Sequence, residues 1–323
     1  MNVGSEKICF AIQGHTDSAH CERLVRTVSR QGDAVIVHID RKASAFRRDL
    51  IRRLDRLDGD IHLIPEEESI EVRWSGFSQV AAALRCFEKY LQLPADFEWL
   101  SYHSGQDYPI KPIAEYRRFL REHSPQMLLE SADVAAFWWR CRTYNFFRES
   151  RANRTLWFRL MDNAARQLQK PFIRRNHGIR FMKGSQWFTA DRYAVTRLLE
   201  GSTPAWKSVW KYTACPDEHY FQTLAARLSL PVMPENFRYI DFPAGQNSPK
   251  VLNLADIDRL QQSPAFFARK FESGTSAALL DRLDRTLEEW CEGRRSNAPD
   301  QSTVPGVERA PDIKRFECKW MAP

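Results

Sequence analysis

Hydrophobic and polar residues alternate with two different periods over the first 130 positions of the chain. Short apolar runs have the length and composition of buried strands, and they lie at residues 8–13, 35–39, 61–64 and 99–103. Helical periodicity separates these runs and is predicted at residues 18–29, 78–91 and 114–122. In the second of these helices Val80, Leu84 and Phe87 share one face. Alternating strands and helices are typical of an α/β fold with a mostly parallel central sheet flanked by helices.

The second half of the chain has fewer clear signals. Residues 140–180 are predicted to be helical, because turn-forming residues are scarce there. Thr189 is predicted to cap a helix that ends at Gly201. Pro216 has the position that proline favours at a helix start, and it places Glu218 in the first turn of a further helix.

Composition limits the class of protein. With 43% hydrophobic residues among 323, the chain can bury a large core. We expect one large domain over residues 1–275, followed by a C-terminal helix and a mobile tail over residues 276–323. The apolar runs are far shorter than the roughly 20 residues that span a bilayer, and residues 1–7 lack the apolar region of a secretory signal. The seven cysteines occur singly, without metal-binding spacing. These features predict a cytoplasmic protein with free thiols and no zinc site.

Positive charge is concentrated in the middle of the chain. The whole protein carries a net charge of +7, whereas residues 140–183 contain twelve Lys or Arg against Glu149 and Asp162. One interpretation is a surface that faces anionic lipid or a diphosphate-linked acceptor, and an equally weighted one is a solvated basic helix face. Aromatic residues between the arginines would also suit a nucleic acid, an interpretation that we rank below the other two.

Polar side chains follow the predicted strands, at the edge where α/β sheets bind their ligands. Gln13, Asp40 and Asp107 are predicted at such strand ends. Glu218 opens a predicted helix, where an acidic residue more often balances the helix dipole than takes part in chemistry. The alternative is that its carboxylate accepts the proton of an attacking hydroxyl group. Partial burial would then raise its pKa towards the working pH.

A diphosphate leaving group can be neutralised by a divalent metal or by fixed cations. The Asp-x-Asp pattern of Asp58 and Asp60 precedes a predicted strand, although a metal-binding pattern is expected after one, and Asp-Gly is an ordinary turn pair. Arg269 and Lys270 follow two aromatic residues and could supply the cations. Spacing alone favours the simpler interpretation of two basic residues at a helix end.

Seven short motifs in a fixed order resemble those of one known family. They are FAIQGH (10–15), VHIDRK (37–42), VRWSGFS (72–78), SGQDYPIK (104–111), GSQWF (184–188), PDEHYFQT (216–223) and FFARKF (266–271). Together they resemble the family of core-2/I-branching β-1,6-N-acetylglucosaminyltransferases and peptide O-xylosyltransferases, over roughly residues 7–272.

The resemblance implies a GT-A type fold and transfer of a sugar from a UDP-sugar with inversion, by direct displacement and without a divalent metal or cofactor. By position, Glu218 matches the catalytic base. The donor-binding positions of the family match Ile12, Asp40, Val72, Arg73, Trp74, Gln186, Trp187, Ser248, Lys250, Arg269 and Lys270. Of these, Arg269 and Lys270 match the basic pair that replaces a metal on the diphosphate. Gln13 and Asp107 are assigned to the frame of the site.

The sequence also departs from the family. Gln186 stands where similar xylosyltransferases have Asp, which argues against xylose as the sugar. Lys250 is the nearest candidate for an arginine that the branching enzymes place before their last basic motif. Their membrane anchor, stem and disulfides have no counterpart here. We therefore expect a bacterial, cytoplasmic member that is peripheral on the inner face of the membrane and builds surface polysaccharide.

The sequence thus predicts an inverting transferase that moves N-acetylglucosamine to a glycan or lipid-linked glycan. Acceptor contacts are expected from Trp138, Trp139 and Arg142, with residues 140–183 as a peripheral contact with anionic membrane. One alternative is UDP-xylose or another UDP-sugar as the donor. A second, from another class, is a carbohydrate- or polyanion-binding protein without catalysis that uses the basic segment.

Overall fold

The structure is a computed structural model that describes residues 7–296, apart from positions 31, 135–137, 152–154, 170–171, 173–174, 177 and 247. In chain order, its elements are β1 (Lys7–Gly14), α1 (Ser18–Val28), β2 (Ala34–Ile39), α2 (Ser44–Leu54), β3 (Asp60–Leu63), α3 (Ser78–Leu91), β4 (Phe97–Ser104), β5 (Asp107–Pro109), α4 (Ile113–His123), β6 (Met127–Leu128), β7 (Ala132–Asp133), α5 (Trp138–Arg142), α6 (Leu156–Gln169), β8 (Met182–Lys183), β9 (Thr189–Asp191), α7 (Arg192–Gly201), α8 (Pro204–Trp210), α9 (Tyr220–Arg227), β10 (Val232–Met233), β11 (Arg238–Ile240), α10 (Ile257–Gln262), β12 (Phe267–Arg269) and α11 (Ala277–Ser296).

The described chain forms two compact units. The first comprises the residues up to 106 together with 114–237, and the second comprises 107–113 together with the residues from 238 onward. This division does not coincide with the sequence-based boundary at residue 275, because β5 pairs with β12, which lies far along the chain. The predicted extent of the large domain, residues 1–275, stays a prediction. The predicted mobile tail over residues 297–323 lies outside the described residues.

A mostly parallel sheet forms the centre of the first unit. Among the described residues its strand order is β10-β6-β9-β4-β1-β2-β3. Strand β1 lies between β2 and β4, parallel to both, and residues 8–12 are fully buried. Strands that are covered on both faces become continuous apolar runs, which is why the sequence revealed them. The predicted fold class, α/β with a mostly parallel central sheet flanked by helices, is confirmed.

Helix α3 follows the apolar periodicity that predicted it and begins and ends at the predicted residues. Its buried face packs into the core beneath the sheet, where the Phe87 ring lies 5.7 Å from the rings of both Tyr102 and Phe188. Helix α1 is capped by Asp17, whose carboxylate accepts a hydrogen bond from the amide of His20. These helices are positioned by local pattern and by burial together.

The prediction for Thr189 was wrong. Thr189 lies in β9, a strand that pairs antiparallel with β4 and β6. Its hydroxyl contacts those of Ser101 and Tyr116 at 2.9 and 2.6 Å. The helix cap is Asp191, whose carboxylate accepts from the amide of Ala194 at 2.6 Å. A strand of three residues is too short to show a period, so the sequence pointed to the wrong cap.

The middle of the chain is also less helical than predicted. Helices α5 and α6 are separated by turns and loops. The buried Arg175 guanidinium donates to the backbone carbonyls of Thr143 and Val209 at 2.7 and 2.5 Å. Carbonyls that would otherwise be unsatisfied are bonded in this way, which lets irregular backbone lie inside the unit.

The second unit is built around a small sheet in the order β11-β12-β5, with β12 parallel to β11 and antiparallel to β5. The Tyr108 hydroxyl donates to the Asp284 carboxylate of α11 at 2.5 Å. The predicted C-terminal helix is present and continues to Ser296. This sheet carries Asp107 and Arg269 opposite each other.

Two further observations concern thiols and helices. Cys9, Cys21, Cys86, Cys141 and Cys215 form no disulfide, as predicted, while the side chains of Cys291 and Cys318 lie outside the described residues. None of the helices in the described part of the chain is both long enough and apolar enough to cross a membrane.

Candidate active site

Glu218 lies at the end of a short 3-10 turn, Pro216–Glu218. Cys215, before the turn, has left-handed backbone with a φ of 49°, and the extended φ of −132° at His219 separates the turn from α9. The sequence predicted Glu218 in the first turn of an α-helix. Glu218 lies instead on a bend just before α9. Its carbonyl accepts a hydrogen bond from the amide of Gly184 at 2.9 Å, which holds the bend in place.

Two cations meet one oxygen of the Glu218 carboxylate. Arg140 Nη1 donates to Oε2 at 2.7 Å, and Lys183 Nζ lies 3.5 Å from the same atom. The Arg140 side chain is buried, whereas that of Glu218 is 34% exposed. Within the described residues, no hydrogen bond reaches Oε1. The carboxylate is thus held through Oε2, and its side chain stays partly exposed.

These charges decide the ionisation of Glu218. Partial burial on its own would raise the pKa of the carboxyl group, but Arg140 and Lys183 outweigh it and hold the pKa below its ordinary value. The expected rise of this pKa was therefore wrong. Its cause could not be read from the sequence, because Arg140 lies 78 positions away along the chain.

Asp217 is adjacent to Glu218 but lies in a different environment. Its side chain is buried, and Oδ2 accepts from Gln79 Nε2 at 3.2 Å, while Oδ1 has no hydrogen-bond partner in the described part of the chain. Burial, reinforced by the charge of Glu218, raises the pKa of Asp217 far above its ordinary value. The same Gln79 amide donates to Gln186 Oε1 at 3.3 Å, so one side chain joins Asp217 to a predicted donor-binding residue.

Asp40 and Gln13 lie at the ends of neighbouring strands, as predicted. The buried Asp40 carboxylate accepts from the amide of Val72 at 3.3 Å and from Lys42 Nζ at 2.5 Å. Gln13 Oε1 accepts from the Tyr102 hydroxyl at 2.6 Å. The Tyr102 ring lies 5.0 Å from that of Trp187, which brings a third predicted position into this group. Ile12 is fully buried within β1.

The loop of residues 72–75 links this strand end to the Glu218 turn. Arg73 pairs with Glu71, and the Trp74 side chain is 47% exposed. The amide of Ser75 donates to Gln79 Oε1 at 2.6 Å, and the Ser75 hydroxyl accepts from the amide of Cys215 at 3.1 Å. The predicted donor loop and the turn that carries Glu218 are therefore tied together by hydrogen bonds.

The predicted acceptor residues lie on α5, the helix that carries Arg140. The Trp139 ring has the guanidinium carbons of Arg166 and Arg140 at 4.4 and 5.8 Å from its centre. Arg142 ends the helix and is partly exposed. The side chain of Trp138 lies outside the described residues.

The remaining predicted positions belong to the second unit. Arg269 meets Asp107 at 3.5 Å, and Lys270 meets Glu272 at 2.9 Å. Lys250 Nζ lies 2.5 Å from the buried Asp256 carboxylate. Ser248 is exposed. Asp107, expected beside Gln13 and Asp40 at the end of the central sheet, lies instead in β5, because the chain leaves that sheet after β4.

Sequence reasoning missed Arg140, Lys183, Asp217 and Gln79. Arg140 and Lys183 are the first and last cations of the basic segment, so the charge pattern contained them without indicating a partner. The only sequence signal for Asp217 was its position directly before Glu218. Nothing in the sequence distinguished Gln79 from the other polar positions of α3.

Comparison with known proteins identifies the family. The model of the core-2/I-branching enzyme family matches residues 8–261. The chain belongs to that family. Six of the seven motifs noted in the sequence lie within this match, which also includes the Glu218 turn, whereas FFARKF (266–271) lies beyond its end.

Two relatives represent the two kinds of enzyme that the sequence motifs resemble. A β-1,3-galactosyl-O-glycosyl-glycoprotein β-1,6-N-acetylglucosaminyltransferase 3 of Rattus norvegicus is 25% identical over 67% of this chain and 46% of its own length. A xylosyltransferase of Ciona intestinalis is 22% identical over 87% of this chain and 34% of its own length. The chain therefore spans less than half the length of both relatives. Apo mouse xyloside xylosyltransferase 1 aligns with 81% of this chain and 96% of its own, at 8% identity and a TM-score of 0.38, which is too low to support a conclusion.

Proposed function

We propose that this protein is an inverting glycosyltransferase that moves a sugar, N-acetylglucosamine in the first instance, from a UDP-sugar to a carbohydrate hydroxyl group. Glu218 would accept the proton of the attacking hydroxyl. Arg269 and Lys270 would neutralise the diphosphate in place of a metal. The bacterial setting, in which the product is a surface polysaccharide made on a lipid carrier, belongs to the same proposal, as does contact of the basic middle segment with anionic membrane.

The environment of the Glu218 carboxylate carries this proposal. A general base must be ionised before it can take a proton, and it must be accessible to the group that loses it. Arg140 and Lys183 favour the ionised form through Oε2, and the side chain is 34% exposed. In this proposal Oε1 is the atom that receives the proton. The developing positive charge on the attacking oxygen is relieved as the proton leaves it.

Replacing the base tests the proposal. Glu218→Gln keeps the shape of the side chain but cannot accept a proton, so transfer should slow by about 10²–10⁴-fold, the usual contribution of a general base. Thermal melting should show that the variant is folded. Glu200→Gln, an exposed substitution of the same chemistry on α7, should keep full activity. Full transfer activity in Glu218→Gln would remove Glu218 from the mechanism.

The identity of the donor sugar needs a separate test. The relatives of this chain include both N-acetylglucosaminyl- and xylosyltransferases at similar identity, so UDP-xylose is the second candidate. A ligand that binds the folded state raises its melting temperature by mass action. We expect UDP-N-acetylglucosamine to protect the protein at lower concentration than UDP-xylose, and the reverse order would favour xylose.

Metal independence is tested by chelation. Within the described residues, no group of three or more His, Cys, Asp or Glu side chains is placed to hold a metal ion. We expect transfer to continue unchanged in EDTA. Loss of transfer that returns on addition of Mn²⁺ or Mg²⁺ would contradict the proposed role of Arg269 and Lys270.

The non-enzymatic alternative uses the basic segment as a polyanion-binding surface. Several of its cations are already engaged, since Arg140 pairs with Glu218, Arg148 with Asp162, and Arg175 with backbone carbonyls. The alternative predicts salt-sensitive binding of polyanions without release of UDP. A UDP-release assay with the donor panel separates it from the transferase.

A further inference from the structure

Helix α6 points an apolar face into solvent. Leu156, Trp157, Leu160 and Leu168 are 69%, 67%, 53% and 76% exposed. Ala164 is exposed as well. Positions 156, 160, 164 and 168 recur every four residues and form one stripe along the helix, with Trp157 beside it. We call these five residues the α6 face.

The opposite side of the same helix lies against the protein and carries both polar and apolar groups, among them Phe158, whose ring lies 5.3 Å from that of Phe147. Asp162 pairs with Arg148 at 3.0 Å, and their side chains are only 12% and 19% exposed. The guanidinium of Arg166 lies over the Trp139 ring at 4.4 Å. A surface helix of a globular protein normally has its apolar side inward and its polar side outward. Helix α6 differs because it carries a stripe of apolar side chains on its outward side as well.

A contiguous exposed apolar patch of this kind usually marks an interaction site. The chemistry around it indicates the partner. The segment of residues 140–183 carries twelve cations and two acids. Both acids are engaged, since Asp162 pairs with Arg148 and the Glu149 carboxylate accepts from the amide of Ser78 at 2.9 Å. The α6 face itself contains no acidic residue.

An apolar stripe that contains tryptophan, in a basic segment whose Arg151 and Arg180 side chains are 85% and 79% exposed, fits the surface of an anionic bilayer. Leucine side chains enter the boundary between headgroups and acyl chains, tryptophan favours the same depth, and the cations attract anionic headgroups. A second copy of this chain fits less well, because two basic segments would repel each other across the interface.

We propose that the α6 face lies on the surface of an anionic lipid bilayer, with α6 parallel to the membrane plane. This deepens the membrane contact included in the proposed function and identifies the residues that make it. It also explains why a helix with a buried ion pair exposes its leucines. Lipid binding is measured without any transfer assay, so its failure is distinguishable from failure of the glycosyltransferase proposal.

Flotation with lipid vesicles tests the inference. The full chain should float with vesicles of phosphatidylcholine mixed with phosphatidylglycerol, should not float with phosphatidylcholine alone, and should dissociate as salt is raised. Leu160→Ser and Leu168→Ser should each weaken binding about tenfold, because each removes a large apolar side chain from the lipid boundary. Tyr193→Ser removes an exposed aromatic residue on α7, outside the α6 face, and should leave binding unchanged.

Three outcomes would overturn the inference. The first is failure of the unmodified chain to bind the anionic vesicles. The second is equal binding by Leu160→Ser, Leu168→Ser and Tyr193→Ser. The third is concentration-dependent self-association, measured by sedimentation, that the two leucine substitutions abolish while vesicle binding is absent. That last result would assign the α6 face to a second copy of the chain.

Discussion

At the scale of single residues, two adjacent carboxyl groups are pushed towards opposite protonation states. Glu218 faces Arg140 and Lys183, which lower its pKa, whereas Asp217 is buried against a neutral amide, which leaves its pKa raised. Paired carboxyl groups in unlike environments are a common way to obtain one ionised and one protonated group at the same pH. Here the environments come from Arg140 on one side and Gln79 on the other.

The raised pKa of Asp217 predicts how stability varies with pH. The unfolded chain loses this proton near the ordinary pKa of Asp, while the folded chain keeps it to higher pH. The free energy of unfolding contributed by Asp217 therefore falls as pH rises through that interval. Asp217→Asn resembles the protonated acid and does not titrate. The folded-state pKa of Asp217 is about 7, so the melting temperature of the variant relative to wild type should rise between about pH 4 and about pH 7.

A difference in melting temperature that is the same at every pH would count against a protonated Asp217. Asp58→Asn, the same substitution at an exposed position before β3, serves as the matched control.

Replacement of Arg140 should change the pH dependence of transfer. Without its charge, burial would dominate and the pKa of Glu218 would rise, so the base would lose activity to protonation at higher pH than in wild type. We expect the acid limb of the kcat/KM profile to move to higher pH in Arg140→Gln. Arg180→Gln, at a largely exposed arginine of the same segment, should keep the wild-type profile. An unmoved acid limb in Arg140→Gln would show that Glu218 is not the titrating group.

At the scale of elements, the site depends on short pieces that carry little periodic signal. The β7 and β8 strands pair antiparallel, with Ala132 opposite Lys183, and the amide of Gly184 then reaches the Glu218 carbonyl. Long elements such as α3 were predicted from their apolar period. Strands of two or three residues and a 3-10 turn were not, because each is shorter than the window in which a period can be recognised.

Substitution of Gly184 tests how closely these short elements pack together. A Cβ at this position would lie 1.7 Å from the backbone oxygen of Glu130, so Gly184→Ala must displace backbone. We expect a loss of stability of about 1–3 kcal/mol or more, together with reduced transfer because the Glu218 bend is bonded to residue 184. Gly76→Ala should be milder, since the contact there is the movable carboxylate of Glu149. Gly274→Ala meets nothing within 4 Å and should be neutral in thermal melting.

At the scale of the whole molecule, the basic side chains take part in different kinds of interaction. The basic segment contributes cations to the Glu218 site, to backbone carbonyls and to the surroundings of α6. In the second unit, Arg269, Lys270 and Lys250 each meet a carboxylate. The net charge of the chain is thus the sum of pairs and groups with separate functions, and its value alone did not indicate any of them.

Binding of UDP offers a prediction for the chain as a whole. If Lys270 contacts the diphosphate, Lys270→Met should weaken UDP affinity by about tenfold or more, since one fixed cation near a phosphate contributes up to about 4 kcal/mol at an effective dielectric near 20. The rise in melting temperature on adding UDP should then require correspondingly more ligand. Lys211→Met, at an exposed lysine after α8, is the matched control. Equal UDP protection in all three proteins would contradict the role of Lys270.

The sequence by itself determined the strands β1, β2 and β4, the helices α1 and α3, and the family of the chain. Apolar periods are properties of neighbouring residues and need no knowledge of the fold, and motif order is visible in the chain as printed. Only the tertiary structure decided that Arg140 meets Glu218 and that Gln79 meets Asp217, across 78 and 138 positions. A pKa depends on charges that folding brings near in space, so the ionisation of Glu218 could not be read along the chain.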